Sequence, residues 1–431
     1  MIIDLEPSRI SGSLRVPPSK SLGHRALICA GLAGGDSIIR HLGSSKDMEA
    51  TLNCLKALGA SFTIENEDEN GIFRTVYMHG TNPAKLDMHA SVTLDAYESG
   101  STIRFFIPVA AAGSEWVTFL GKPSLLVRPM GIYADLFARQ NLPFEQSEEG
   151  IRFHGPLAGG SYTIDGSISS QFLSGLLLAA PFLGGIDLHV EAPYQSRSYV
   201  NLTLDMMRTF GIHIEEPDPF TYIIRKDEAY TCCEADVEAD WSQAAFFLVL
   251  GMLNAPILLK GLNPASLQGD AVIMDAVRLA GGKLEWTKDG LLVSPGTRQA
   301  FDFDLADCPD LGPILCALAA MVPGQSVLRH ASRLRYKECD RIAAMEDELR
   351  KWGVDIHSTE DEIYITGRTD WSSTDTVVID GHNDHRIVMA MAVFSVCAKT
   401  PARIVGAQAV TKSYPHFFDD LKSIQGKVVQ S

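Results

Sequence analysis

The chain has 431 residues, of which 46% are hydrophobic and 21% charged, with a formal net charge of −16. That length calls for two or more domains, and the acidic balance argues against broad binding to nucleic acid or to an anionic membrane surface. The eight cysteines are scattered and none forms a C-x-x-C pair, which fits reduced thiols in the cytoplasm better than a disulfide framework.

At the start of the chain, Met1–Glu6 shows no basic region followed by an apolar core, so no signal peptide is expected. Pro17 and Pro18 hold the next stretch extended. Ser19-Lys20-Ser21 and Arg25 then open a helix of small and apolar residues over about 21–33. Helices of this kind recur near 101–112, 170–183, 242–253, 311–322 and 385–398, and a helix apolar all round is a buried one. The uncharged stretches 166–186 and 241–259 are long enough for membrane spans. Gly, Ser, Gln, Asn or Pro interrupts both, so they read as buried helices with turns.

A second, amphipathic helix alternates with the first and stops at Gly59, Asn141, Gly211, Gly282, Gly353 and Gly426, at intervals of 70–82 residues. Gly or Asn there is the expected left-handed stop. Alternating stretches such as 73–78 and 221–225 supply strands. Six small α/β modules follow from this periodicity. They suggest two domains of three, with a break in the polar stretch 230–240.

The chemistry gathers at helix starts. Lys20, Arg104, Arg128, Lys337, Arg341, Arg386 and Lys412 lie at or near one. Basic side chains are unfavourable at that end of the dipole unless an anion is bound there. Ser, Asp and Asn at the same places are, taken singly, ordinary caps. Asp310 and Glu338 share these locations. A carboxylate among cations tends to act as a base, and burial shifts it toward an acid, so the residues alone leave the roles open. Glu338 could equally be a local salt-bridge partner. Other motifs fail. Gly406–Ser413 approaches a P-loop, but Thr411 stands where glycine is needed. His382, His385, Asp380 and Asp384 hint at a metal without ligand spacing elsewhere, so no metal is expected.

Pro18-Ser19-Lys20-Ser21 with Arg25-Ala26-Leu27, and Ser99-Gly100-Ser101-Thr102-Ile103-Arg104, resemble the start of the enolpyruvyl transferases. Asp165–Phe172, Lys337-Glu338-Cys339-Asp340-Arg341, Asn383-Asp384-His385-Arg386 and Lys412-Ser413-Tyr414-Pro415 are similar to the set found in members that use shikimate 3-phosphate. The resemblance implies a two-domain inside-out α/β barrel of six βαβαββ repeats. The domains would be 20–238, and 1–19 with 239–431, with the active site in the cleft between them. It implies transfer of the enolpyruvyl group of phosphoenolpyruvate to the 5-hydroxyl of shikimate 3-phosphate, a step in aromatic amino-acid synthesis. Phosphoenolpyruvate would meet Lys20, Gly100, Arg128, Gln171, Arg341, Arg386 and Lys412. Shikimate 3-phosphate would meet Lys20, Ser21, Arg25, Ser169, Ser170, Gln171, Ser196, Tyr199, Asp310 and Lys337. Asp310, Glu338 and Lys20 would be catalytic, with no metal or organic cofactor needed, in a monomer with no nucleic-acid or membrane partner. Glu98, Ser101 and Arg333 depart from the family pattern. The alternatives are transfer to UDP-N-acetylglucosamine and a non-catalytic anion-binding protein of the same fold.

Overall fold

The computed structural model describes residues 1–82, 91–113, 116–372 and 375–430. The chain divides into two units, Pro18–Glu238 on one side and Met1–Pro17 with Ala239–Ser431 on the other.

In the unit Pro18–Glu238 the helices are α1 (Lys20–Leu32), α2 (Lys46–Ala57), α3 (Gly100–Ala110), α4 (Pro123–Leu126), α5 (Gly131–Arg139), α6 (Ser170–Ala179) and α7 (Arg197–Thr209). Helices α1, α3 and α6 carry small and apolar residues on every face and are buried almost throughout. They pack closely where a side chain is missing. A β-carbon at Gly175 of α6 would lie 2.4 Å from the Arg104 carbonyl and 2.5 Å from the Tyr133 hydroxyl.

Each repeat carries one four-stranded sheet. In the second repeat Val92–Asp95 runs parallel to Trp116–Leu120, which pairs antiparallel with Ile151–His154, and Phe144–Gln146 forms the far edge. The third repeat has the same order, with Gly160–Asp165, Ile186–Glu191, Thr221–Ile224 and Glu215–Asp218. The first repeat enters directly at its buried helix and so lacks an opening strand. Glu234–Asp236, the last strand of the unit, fills that place beside Asp36–Gly43.

The other unit repeats the plan with α8 (Trp241–Leu253), α9 (Ile273–Leu279), α10 (Gly312–Ala320), α11 (Arg341–Arg350), α12 (His385–Cys397) and α13 (Phe417–Ser423). Two N-terminal strands complete its sheets. Gly12–Arg15 lies parallel to Ile257–Lys260, and Ile2–Glu6 is inserted between Ala402–Val405 and Lys427–Gln430. The Arg298 guanidinium donates to the Leu253 and Met321 carbonyls, at the C-terminal ends of α8 and α10. A cation there satisfies carbonyls the helix leaves open and complements the dipole.

The amphipathic helices stop where expected at Gly59, Asn141, Gly211 and Gly353, all with positive φ. In the other two the left-handed residue is Gly281 (φ 93) and Gln425 (φ 72), one place earlier than periodicity suggests. The hydrogen bonds give the reason. Gly282 and Gly426 send their N–H five residues back, to Val277 and Leu421, as Ala60 does to Leu55. The residue before each must therefore turn left-handed. Among the described residues no helix is long and apolar enough to cross a membrane.

Candidate active site

The helix starts of the two units differ in charge. In Pro18–Glu238, helices α1, α3 and α6 are capped by Ser19, Ser99 and Ser169, whose hydroxyls accept from the amides of Leu22, Thr102 and Gln171. A hydroxyl cap leaves the positive end of the dipole unneutralised. Basic side chains add to it. The Arg104 guanidinium donates to Gln171 Oε1 at 2.7 Å, and Gln171 Nε2 donates to Ser101 Oγ at 2.9 Å. Ser101 thus keeps the hydroxyl that orients the amide. Gly100 lies under two guanidinium groups: a β-carbon there would sit 2.9 Å from Arg128 Nη1 and 3.1 Å from Arg104 Nη1. Arg128 is 9% exposed, and its Nε has no hydrogen-bond partner among the described residues. No carboxylate pairs with its guanidinium in that set. A buried, unpaired guanidinium is costly, and a neighbouring anion would offset that cost.

Lys20, at the first position of α1, bonds Asp47 Oδ2 at 2.8 Å. Arg25 is almost fully buried, and its guanidinium ties α1 to α6 and α7. It donates to Thr203 Oγ1 (2.7 Å), the Ser21 carbonyl (2.7 Å), the Tyr199 carbonyl (2.8 Å) and Ser174 Oγ (3.5 Å). Burial lowers its pKa to about 10. His24, also buried, bonds Thr51, which bonds Thr102, which donates to Ser99 Oγ. This chain of hydroxyls joins the start of α1 to the start of α3. Burial first, then the charges of Lys20 and Arg25, hold the His24 pKa well below the ordinary value. Ser170 is buried at the first turn of α6, and Ser196 is buried with a left-handed backbone (φ 53) just before α7.

In the other unit the caps are carboxylates. Asp240 accepts from the amides of Ser242 and Gln243, and Asp384 from that of Arg386. Asp310 lies in the 3-10 turn Pro309–Leu311 before α10. Three cations meet it: Lys337 Nζ at 3.2 Å and Arg341 Nη1 at 3.0 Å on Oδ1, and Arg386 Nη2 at 2.9 Å on Oδ2. Arg386 also donates to the Asp310 carbonyl and to Ser242 Oγ, both at 3.0 Å. Arg341 is 1% exposed and holds three carboxylates, Asp384 at 2.7 Å, Glu338 at 2.6 Å and Asp310. Desolvation lowers the Lys337 pKa, against the opposing pull of Asp310. Lys412 Nζ donates to the Asn383 carbonyl at 2.7 Å.

Lys337 and Lys412 lie about one turn before α11 and α13, as expected; Lys337 follows the 3-10 turn Ser332–Tyr336, and Lys412 ends the 3-10 turn Ala407–Lys412. Their side chains reach groups on other elements, Asp310 and the Asn383 carbonyl. The histidines that hinted at a metal part company. His382 Nε2 bonds Glu348 Oε1 at 2.9 Å, and His385 is buried in the first turn of α12. The sequence carries no signal for Asp47 or Glu348, and it marks Asp384 only as a cap or as part of the weak metal hint. A cap that also receives an arginine is visible only once α11 and α12 are packed.

The family model described as EPSP synthase (3-phosphoshikimate 1-carboxyvinyltransferase) matches residues 5–421. The chain is 38% identical over 429 residues to a protein of Clostridium novyi (strain NT) named 3-phosphoshikimate 1-carboxyvinyltransferase, covering 98% of this chain and 97% of that one. A Clostridium kluyveri protein of the same name is 35% identical over 435 residues, covering 99% and 98%. Among solved structures, an EPSP synthase from Acinetobacter baumannii superposes with a TM-score of 0.78 at 26% identity, covering 100% of both chains. The enolpyruvyl transferase NikO from Streptomyces tendae shares the fold, with a TM-score of 0.76 at 15% identity over 99% of this chain and 98% of that one. On its sequence and on its fold, the chain belongs to the EPSP synthase family of enolpyruvyl transferases.

Proposed function

We propose that this enzyme transfers the enolpyruvyl group of phosphoenolpyruvate to the 5-hydroxyl of shikimate 3-phosphate and releases phosphate, a step of the shikimate pathway to aromatic amino acids. The observation that carries the reading is the division of charge. Hydroxyl-capped helix starts with Lys20, Arg104 and Arg128 stand in one unit, and a carboxylate held by Lys337, Arg341 and Arg386 stands in the other. Both substrates carry a phosphate and a carboxylate, so several cationic seats are needed.

The seat of Gly100, Arg128 and Gln171 takes phosphoenolpyruvate, together with Lys20, Arg341, Arg386 and Lys412. Ser21, Arg25, Ser169, Ser170, Gln171, Ser196, Tyr199 and Lys337 take shikimate 3-phosphate, with Lys20 between the two. Glu338 or Lys20 delivers a proton to the methylene carbon of phosphoenolpyruvate, which makes the neighbouring carbon electrophilic. The 5-hydroxyl attacks that carbon as Asp310 accepts its proton, giving a tetrahedral intermediate. Phosphate leaves when the new methyl group returns a proton to a base, and the cations stabilise the charge that develops on it. Lys337, Arg341 and Arg386 surround Asp310, and cations favour the ionised carboxylate, the form that accepts a proton.

Phosphate release measured with phosphoenolpyruvate and shikimate 3-phosphate tests the reading, with UDP-N-acetylglucosamine as the competing acceptor. Release only with the second acceptor, or with neither, overturns it. Family membership favours the first. Gly100→Ala places a methyl group against the ends of two flexible arginines. The fold can absorb that, but the anion seat shrinks. The expected result is a KM for phosphoenolpyruvate raised by about tenfold, with little change in the KM for shikimate 3-phosphate, measured by steady-state kinetics.

A further inference from the structure

We propose that Glu348 is a positioning residue for the phosphoenolpyruvate-side cations, acting through the segment Asp380–Asp384. The proposal rests on the functional reading above. Glu348 is a carboxylate 1% exposed on α11, two turns beyond Arg341 and on the same face. Those two side chains grip opposite ends of one segment. Arg341 holds Asp384, while Glu348 Oε2 accepts from the Asp380 amide at 3.1 Å and Oε1 meets His382 Nε2 at 2.9 Å. Lys351 Nζ bonds both Glu348 oxygens, at 2.9 and 2.7 Å.

The segment between the grips is strained. His382 (φ 48) and Asn383 (φ 50) are consecutive left-handed residues, and neither is glycine. Such a backbone persists only where its surroundings hold it. Its geometry matters because the Asn383 carbonyl receives Lys412 and Asp384 caps α12 by accepting from the Arg386 amide. A carboxylate that touches neither cation thus fixes the positions of both.

The grip depends on pH through His382. The charged groups facing it are Glu348 and Lys351 from α11 and Asp380 from its own segment. The hydrogen bond to Glu348 raises the His382 pKa above its ordinary value, against the effect of burial. A raised folded-state pKa means that the charged bond is complete below the ordinary histidine range. It is lost as pH rises through the folded value.

The test uses the full-length protein with Glu348→Gln, Glu348→Asp and His382→Gln. Glu348→Gln is expected to raise the KM for phosphoenolpyruvate about tenfold, with the KM for shikimate 3-phosphate within about twofold. Glu348→Asp is expected to recover part of the loss. The ratio of the wild-type KM to that of His382→Gln should approach one as pH rises, because the wild type then loses the charge that glutamine lacks; taking the ratio cancels substrate ionisation. Hydrogen exchange should speed up at the Asp380 amide and its neighbours in Glu348→Gln. An unchanged KM for phosphoenolpyruvate, or an equal rise in both KM values with a large fall in Tm, overturns the proposal. If the wild type turns over neither substrate, the functional reading fails, and hydrogen exchange still decides whether Glu348 holds the segment.

Discussion

Asp310→Asn is expected to lower kcat by about a thousandfold while the protein stays folded at 25 °C. The factor is that of a positioned general base in the middle of the usual range. Asparagine keeps the shape and one acceptor, so the bond from Arg341 or Arg386 can persist. It removes the charge and the ability to take a proton from a hydroxyl. The competing view makes Asp310 a neutraliser for three cations. Removing one partner of a buried ion pair costs about 3–5 kcal/mol, but a partly exposed carboxylate with alternatives for its partners costs less, about 1–2 kcal/mol. Asp310 is of the second kind. Its side chain is 20% exposed, Arg341 retains Asp384 and Glu338, and Arg386 retains Ser242. Such a loss lowers Tm by only a few degrees. Single-turnover measurement of enolpyruvyl transfer beside a thermal melt separates the views. A loss of less than tenfold in kcat with a fall in Tm of more than about ten degrees would favour the neutraliser.

The fold was largely legible because its repeat is written in helix chemistry. All-apolar helices and left-handed stops recur at nearly constant spacing, and neither signal depends on distant partners. The strand exchanges were less so. No property of Glu234–Asp236 says that it completes the first repeat. Ile2–Glu6 and Gly12–Arg15 look like any short strands until the sheets form. At the site, the basic residues stood out because they contradict the helix dipole. Their partners did not. Lys20 and Asp47 are 27 residues apart, and Arg341 and Asp384 are 43 apart, with nothing local to join them. The serine caps of one unit and the carboxylate caps of the other were both visible as capping residues. That the first set leaves a positive field and the second cancels it follows only when burial is known. Lys337 and Lys412 were legible from their places just before α11 and α13, but their partners, Asp310 and the Asn383 carbonyl, lie on other elements.

Arg128→Met is expected to move activity and stability in opposite directions. Among the described residues the Arg128 guanidinium has no carboxylate partner, and it is 9% exposed beside Arg104 and the start of α3. An apolar side chain of similar length removes a buried charge and its repulsion from Arg104, so Tm should stay level or rise by a few degrees. The same change empties the seat of half its charge. Losing a charge-assisted bidentate contact is worth about 3 kcal/mol, or roughly a hundredfold in the KM for phosphoenolpyruvate. Inorganic phosphate supplies a second readout that needs no turnover. At about 100 times its dissociation constant, a ligand that binds only the folded state stabilises by about 2.7 kcal/mol. Wild-type Tm should therefore rise with phosphate concentration, and the rise should be mostly lost in Arg128→Met. A variant that melts well below wild type without phosphate would mean that Arg128 is a structural residue whose partner is part of the fold. A variant that keeps both the phosphate-dependent rise and its KM would place the anion elsewhere. The stored cost of an unpaired guanidinium is what a bound anion relieves, so the residue that weakens the empty protein most is expected to bind the substrate best.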